Sequence, residues 1–177
     1  MLRFPADANV RPTPDRVRET LFNWLGQHLT GRRCLDLFAG AGALGFEALS
    51  RGAAEVVMVE RSRNVLAALR ENGAALGAGA PRLRLVLGDA LHFLDSSEEA
   101  KFDVVFVDPP YGSRLVGEAL ARLPARLARD ALVYVEGDAR VAAGPPWRLR
   151  RYGRAGAVHY HLIEWEGHDH GGLSGDV

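Results

Sequence analysis

The stretch LDLFAGAGALGFEAL, from Leu35 to Leu49, decides the fold of this 177-residue chain. Its first residues are apolar, its centre is rich in glycine and its last part is an apolar helical run. This order predicts a strand, a tight turn and a helix whose amino terminus offers unpaired N–H groups. Gly40, Gly42 and Gly45 also satisfy G-x-G-x-x-G, the dinucleotide-binding pattern. The stretch therefore predicts an α/β protein with a ligand at this turn.

Outward from this stretch, short β-prone runs alternate with longer amphipathic runs, which favours a mainly parallel sheet. We predict strands at 33–38, 55–59, 83–87, 102–107 and 131–136, and helices near 43–51, 62–77, 90–97 and 114–128. Two further β-like runs, 147–152 and 158–165, are close enough for a hairpin but not for a crossover helix. The expected fold is α/β, with seven strands and an antiparallel C-terminal hairpin.

A helix is predicted before the first strand, in RPTPDRVRETLFNWLGQHL. Thr13 is a plausible N-cap and Pro14 fits the first helical position. An apolar face is then expected from Val17, Leu21, Trp24, Leu25 and His28. We expect a single domain over 1–166, in which 1–30 form an arm and this helix, followed by a disordered tail at 167–177.

Composition excludes several classes of protein. The chain is 47% hydrophobic and has the length of one domain. It has no apolar run long enough for a membrane span and no signal-peptide pattern at its start, so we expect a cytoplasmic protein. Cys34, the only cysteine, excludes an internal disulfide and a multi-cysteine metal site.

Charge is balanced overall but uneven locally. The chain has 22 basic and 22 acidic residues. Five arginines and no acid lie in the window from Arg140 to Arg154, and a looser basic cluster near the start contains Arg3, Arg11, Arg16 and Arg18. Arginine suits bidentate phosphate contacts, but it is also the default basic residue of this chain. Whether the clusters bind phosphate stays open at this point.

Glu60 lies 18 residues beyond Gly42, at the end of the next predicted strand. A carboxylate there can accept hydrogen bonds from both hydroxyls of a ribose. The glycine pattern and Glu60 together fit an NAD enzyme or an S-adenosylmethionine enzyme equally well.

Three further acids favour S-adenosylmethionine. Asp36, in the end of the first strand, would oppose a pyrophosphate but suits a cationic amino-acid group. Asp89 follows the third strand, where it could accept a hydrogen bond from an adenine amine or simply cap a helix. Asp108 begins DPPY after the fourth strand, which the two prolines must end. Acids thus follow strands one to four, and helix capping alone does not explain that pattern.

The order DLFAGAG, Glu60, GDA and DPPY resembles the class I S-adenosylmethionine-dependent methyltransferases that modify exocyclic base amines. More narrowly, RPTPDRVRETLFNWL, CLDLFAGAGALGFEALSRGA and VVFVDPPYG resemble the bacterial 16S ribosomal RNA guanine-N2 methyltransferases of the RsmD type, over about 2–166. The resemblance implies a Rossmann-like fold with helices on both faces of the sheet. It also implies S-adenosylmethionine as methyl donor, S-adenosylhomocysteine as product and no metal.

The resemblance assigns roles to individual residues. The implied catalytic residues are Asp108, Pro109, Pro110 and Tyr111. Asp108 and the Pro109 carbonyl would each accept one hydrogen of the guanine amine, and Tyr111 would stack on the target base. The implied cofactor-binding residues are Arg11, Thr13, Asp36, Phe38, Gly40, Gly42, Glu60, Arg61, Asp89, Ala90 and Asp108.

The implied partner is 16S ribosomal RNA or a small-subunit particle, with ribosomal proteins helping to hold the complex, and the expected state is a monomer without membrane association. Family members usually begin with a short basic segment before the matched region, so RNA affinity is the property that its absence would affect. The alternatives are a DNA or RNA adenine-N6 methyltransferase, an NAD-dependent dehydrogenase and a non-catalytic RNA-binding module.

Overall fold

A sheet of seven strands forms the centre of the computed structural model, which describes residues 15–96 and 100–167. The strands are β1 (Arg33–Asp36), β2 (Glu55–Glu60), β3 (Leu83–Leu87), β4 (Phe102–Val107), β5 (Leu127–Gly137), β6 (Trp147–Ala155) and β7 (Val158–Trp165). The helices are α1 (Asp15–Leu25), α2 (Ala43–Ser50), α3 (Arg63–Ala75), α4 (Ala90–Asp95) and α5 (Leu115–Arg122).

The strands lie in the order β3-β2-β1-β4-β5-β7-β6. The first five are parallel, whereas β7 is antiparallel to both of its neighbours. Since β1 lies between β2 and β4, the order of the strands reverses there, and a crevice opens at their carboxyl ends. The predicted α/β, Rossmann-like fold with an antiparallel C-terminal hairpin is confirmed.

Helices cover both faces of the sheet because its central strands are apolar on both sides. On one face, α1, α2 and α3 pack over Met58, Phe106 and Tyr134. On the other face, α4 and α5 pack over a second apolar cluster that includes Val105 and Ile163. No helix in 15–96 and 100–167 is long and apolar enough to cross a membrane.

Several element ends differ from the prediction. β1 ends at Asp36 instead of Phe38, because the chain turns at 37–38 into the glycine loop. β5 begins at Leu127, before the predicted start, and a register shift in its pairing with β4 accommodates the added residues. α5 stops at Arg122, and a 3₁₀ turn follows that contains Pro124, which has no N–H to continue the helix.

The first helix also ends earlier than the apolar spacing predicts. It stops at Leu25, and Gly26 follows with a φ of 90° that only glycine adopts easily. Val17 and Leu21 are buried as predicted, but His28 lies outside the helix and is exposed, so its assignment to the apolar face is wrong. The predicted cap Thr13, Pro14 and most of the 167–177 tail lie outside the described residues.

A glycine in the hairpin makes room for an aromatic ring that contacts the first helix. A Cβ added at Gly153 of β6 would lie 2.2 Å from Cζ of Tyr160, whose ring covers this position from β7. The Tyr160 ring also stacks with Trp24 of α1, with centroids 5.3 Å apart. Gly153 therefore makes room for the contact between the first helix and the last two strands.

We predict that Gly153→Ala destabilises the protein by about 1–3 kcal/mol, because the added methyl group overpacks a rigid ring. The control is Gly117→Ala in α5, where an added Cβ meets nothing within 4 Å. That change should raise stability by about 0.5–1 kcal/mol, since alanine is the better helix former. Urea unfolding measures both, and an unchanged midpoint for Gly153→Ala would refute the packing role.

Candidate active site

Four of the predicted acids lie along one edge of the sheet. Asp36 and Glu60 are the last residues of β1 and β2, Asp108 directly follows β4, and Asp89 lies two residues beyond β3. Because β3, β2, β1 and β4 are consecutive in the sheet, with about 4.8 Å between neighbours, their ends extend over about 14 Å. The structure thus brings these acids together along a crevice long enough for an extended nucleoside ligand.

Two of these acids hold the glycine loop. Asp36 accepts a hydrogen bond from the Gly45 N–H through Oδ2, at 3.0 Å. Glu60 accepts the Gly40 N–H through Oε2 at 3.1 Å and the Ser62 N–H through Oε1 at 2.7 Å. Glu60 therefore holds the loop between β1 and α2, and Asp36 holds the first turn of α2 that follows it.

The glycines of the G-x-G-x-x-G pattern are required by the local backbone and packing, independently of any ligand. Gly40 and Gly42 have φ of 49° and 76°, values that favour glycine. A Cβ at Gly42 would lie 2.6 Å from Leu69 Cδ2, and one at Gly45 would lie 2.4 Å from Met58 Cε. The G-x-G-x-x-G spacing is thus needed for the turn and for packing, which explains why it does not distinguish NAD from S-adenosylmethionine.

Asp36 has an environment that perturbs its ionisation. Its side chain is only 2% exposed. Burial raises the pKa of Asp36 to about 7, the Gly45 N–H opposes this rise, and the nearby Glu60 charge adds to it. A cationic group placed beside Asp36 would favour its ionised form, as expected for the ammonium group of an amino acid.

Asp89 has the capping role that was the simpler interpretation of its position. Its Oδ1 accepts the N–H groups of Leu91 and His92, at 2.9 and 3.0 Å, so it is the N-cap of α4. Both bonds use the same oxygen, and the side chain is exposed at the crevice. A contact between Asp89 and an adenine amine stays a prediction.

The other predicted cofactor residues vary in burial. Phe38 is half-buried against the α4 and α5 side of the sheet, and Ala90 is buried as the first residue of α4. Arg61 is exposed directly after Glu60. Arg11 and Thr13 lie outside the described residues.

The D-P-P-Y turn is anchored by the neighbouring strand. Asp108 is half-buried, Pro109 is buried and Pro110 is exposed. The Tyr111 O–H donates to Glu136 Oε1 at 3.1 Å, and the Gly112 N–H donates to Asp138 Oδ2 at 3.0 Å. Both acceptors belong to the end of β5 or directly follow it, so β5 determines where the turn lies.

Glu136 is a buried carboxylate that joins two phenols. It is 2% exposed, and its Oε2 accepts the O–H of buried Tyr134 at 2.8 Å. Burial and the Glu136 charge raise the pKa of Tyr134, so this phenol stays a donor. Since Glu136 binds Tyr134 and Tyr111 at once, the exposed Tyr111 ring is tied to the core.

Glu136 and Asp138 were not among the predicted site residues. The sequence contained an indication, because Glu136 ends the predicted fifth strand as the other acids follow strands one to four. No group of three or more metal-ligating side chains occurs within 15–96 and 100–167.

Comparison with known proteins gives consistent matches. The family model described as Conserved hypothetical protein 95 matches residues 1–164. Ribosomal RNA small subunit methyltransferase D from Escherichia coli K12 is 44% identical over 172 residues, 93% of this chain and 84% of that protein. The counterpart of the same name from Haemophilus influenzae is 39% identical and covers 88% of this chain and 83% of its own length.

The structural comparison agrees. The solved structure of the putative methyltransferase yhhF from Escherichia coli superposes with a TM-score of 0.80 at 42% identity, covering 92% of this chain and 91% of that one.

The raised pKa of Asp36 predicts a dependence of stability on pH. Since the folded pKa of about 7 exceeds the ordinary value of 3.8, the folded state binds the proton more tightly. This contribution to the free energy of unfolding is complete below about pH 4 and is lost as the pH rises to about 7. The Asp36→Asn side chain cannot ionise, so the stability of this variant should lack this dependence on pH.

The measurement is urea unfolding of the wild type and Asp36→Asn between pH 4 and 8. The difference in unfolding free energy should change by up to about 1.4 kcal/mol per pH unit within the window. Parallel profiles of the two proteins would contradict the prediction.

Proposed function

The chain belongs to the Conserved hypothetical protein 95 family, and we propose that it methylates the exocyclic N2 amine of a guanine in 16S ribosomal RNA. It is an S-adenosylmethionine-dependent ribosomal RNA methyltransferase, in agreement with its 44% identity to a small-subunit enzyme of that class. The observation that carries the choice of an exocyclic amine is the D-P-P-Y turn, which lies at the end of β4 beside the acid-lined crevice.

The donor set of the crevice fits S-adenosylmethionine. Buried Asp36 lies where the cationic amino-acid end would lie, and Glu60 lies at the next strand end for the ribose hydroxyls. Asp89 would meet the adenine amine, and exposed Leu87, the register partner of Glu60, offers an apolar side to the ring. When bound, the cofactor supplies an electrophilic methyl group on a sulfonium.

The turn supplies two acceptors for the target amine. A guanine amine is a poor nucleophile, because its lone pair is delocalised into the ring. Asp108 and the Pro109 carbonyl would each accept a hydrogen bond from one N–H of the amine. These two bonds would orient the lone pair of the nitrogen toward the methyl donor. The prolines keep these acceptors in place, so catalysis relies on positioning and preorganised electrostatics.

Tyr111 would hold the target base. The base must leave its helix or loop to reach the turn, and stacking on an aromatic ring offsets part of that cost. The bond from Tyr111 to Glu136 sets the direction of the ring before RNA arrives.

The alternatives differ in what they leave unexplained. An adenine-N6 methyltransferase would use the same D-P-P-Y chemistry, and the identity of the methylated nucleoside separates the two. An NAD-dependent dehydrogenase leaves Asp36, Asp89 and the D-P-P-Y turn without a role, and family membership argues against it. A non-catalytic RNA-binding module would need neither the acids that line the crevice nor the D-P-P-Y turn.

We also propose that the enzyme works in the cytoplasm as a monomer, on a small-subunit particle in which ribosomal proteins help hold the complex. Protein-free 16S RNA that serves equally well as substrate would contradict the need for ribosomal proteins.

The first prediction concerns Asp108. Asp108→Ala should lower kcat for methyl transfer by at least about 100-fold, because one of two preorganised acceptors is lost. Affinity for S-adenosylmethionine should stay within a few-fold. The assay measures transfer of labelled methyl groups to small-subunit particles that lack the modification, followed by nuclease digestion. N2-methylguanosine is the expected product, and unimpaired turnover by the variant would refute the role of Asp108.

The second prediction separates the ring of Tyr111 from its hydroxyl. Tyr111→Ala should lower kcat/KM for RNA by about 5- to 150-fold, since stacking is worth about 1–3 kcal/mol per base. Tyr111→Phe keeps the ring but loses the bond to Glu136, and a loss of about tenfold or less is expected. Equal losses for both variants would mean that the hydroxyl, not stacking, carries the effect.

A further inference from the structure

The C-terminal hairpin and the segment before it present a basic and aromatic surface, called the hairpin patch here. It is formed by Tyr152, Arg154 and His159 of the hairpin and by Arg140, which lies between β5 and β6. In the register of β6 and β7, Arg154 lies opposite His159, and Tyr152 lies opposite His161. Opposite residues of an antiparallel pair share a face, as do residues two apart in one strand. The patch residues of the two strands therefore share one face of the hairpin.

The side chains of the patch contact one another. The Arg140 guanidinium lies over the Tyr152 ring, 4.7 Å from its centroid. The Tyr152 hydroxyl is 2.8 Å from His159 Nδ1, and the two rings are nearly parallel with centroids 6.0 Å apart. Tyr152 is still 36% exposed, which is high for a large apolar ring. The patch is an ordered arrangement that stays open to solvent.

A buried histidine supports the patch from below. His161 Nε2 accepts the Val141 N–H at 3.2 Å, so the ring proton lies on Nδ1, which donates to the Val135 carbonyl at 3.3 Å. Burial lowers the pKa of His161, which keeps this neutral form. Because Val141 is fixed to the strand in this way, Arg140 before it is held over Tyr152.

Arginines at the two ends of the hairpin differ in their partners, and Arg151 lies between them in β6. At the far end, Arg148 and Arg150 both pair with Glu164, and Arg148 also reaches Glu166. For Arg140 and Arg154, the described part of the chain contains no ion pair, and both are exposed. Positive charge is therefore compensated at one end of the hairpin and left for a ligand at the other.

The uncompensated end lies at the same edge of the sheet as the D-P-P-Y turn, three strand positions away. β6 runs parallel to β5, since each is antiparallel to β7, so Arg154 lies at the same edge of the sheet as the acids. Asp138, which accepts the Gly112 N–H of the turn, is two residues before Arg140. RNA held at the turn would meet the hairpin patch next.

We propose that the hairpin patch binds the substrate RNA strand beside the target guanine. Arg154 contacts a phosphate, and Tyr152 with Arg140 stacks on an unpaired base. Arginine planes and aromatic rings are the groups that hold unstacked RNA bases. An acidic protein partner would use the charges but has no need of the open tyrosine. This inference rests on the proposed function, because it takes RNA as the substrate.

The test compares Arg140→Ala, Tyr152→Ala and Arg154→Ala with Arg148→Ala, which removes the same charge at the compensated end of the hairpin. Binding to protein-free 16S RNA and to small-subunit particles is measured directly at several salt concentrations. S-adenosylmethionine affinity reports folding. Each patch variant should bind RNA at least about fivefold more weakly than the wild type, as expected for a lost stacking contact. The Arg148→Ala control should bind RNA as the wild type does. Arg154→Ala should also reduce the salt dependence by about one phosphate contact.

RNA affinities of the patch variants equal to that of Arg148→Ala would overturn the proposal, as would a wild type that binds neither form of RNA. Weaker binding to particles but not to protein-free RNA would assign the patch to a ribosomal protein instead. If Tyr152→Ala fails to bind S-adenosylmethionine, the two exposed arginine variants decide the outcome. Failure of this inference can be told apart from failure of the proposed function. The proposed function fails if the wild type transfers no methyl group, whereas the binding of RNA to the patch is measured without turnover.

Discussion

The site depends on the hydrogen bonds that two carboxylates accept from the glycine loop and from the first turn of α2. Backbone N–H groups of a loop or of a helix's first turn have no partner within a strand or helix, and they need an acceptor when they are buried. Asp36 accepts Gly45 N–H and Glu60 accepts Gly40 N–H, so the acids expected to bind the cofactor also shape the loop beside it. A carboxylate held in this way is already oriented when a ligand arrives, and the raised pKa of Asp36 is the cost of burying it.

The D-P-P-Y turn is held in a similar way, through different donors. Pro109 and Pro110 have no N–H, so the turn cannot be held through the backbone donors of these residues. The next two residues anchor it instead, Tyr111 through its hydroxyl and Gly112 through its N–H. Both bonds go to acids at the end of β5. The rigidity of the D-P-P-Y turn therefore comes from the prolines within it and from the neighbouring strand.

Much of the fold and several residues of the candidate site were predictable from the sequence. β3, β4 and β7 have the predicted bounds, because glycine, proline or polar residues mark their ends. β5 was predicted too short, since the charged residues Arg129 and Asp130 interrupt the apolar pattern of its first part. Glu136 was missed although it follows the same pattern as the other acids. The division of the hairpin arginines was not predictable, because it depends on which of them Glu164 and Glu166 reach across the strands.

The antiparallel hairpin also protects the bond that anchors the D-P-P-Y turn to Glu136. Without β7, β5 would be an edge strand, and water would compete for the Glu136 carboxylate. β7 places Tyr160 beside Glu136, and the Tyr160 ring contacts Trp24 of α1 and the glycine of β6. Glu136 is thereby buried, and its bonds to Tyr134 and Tyr111 form away from competing water, where they are stronger. The first helix and the last two strands thus help to bury the carboxylate that anchors the D-P-P-Y turn.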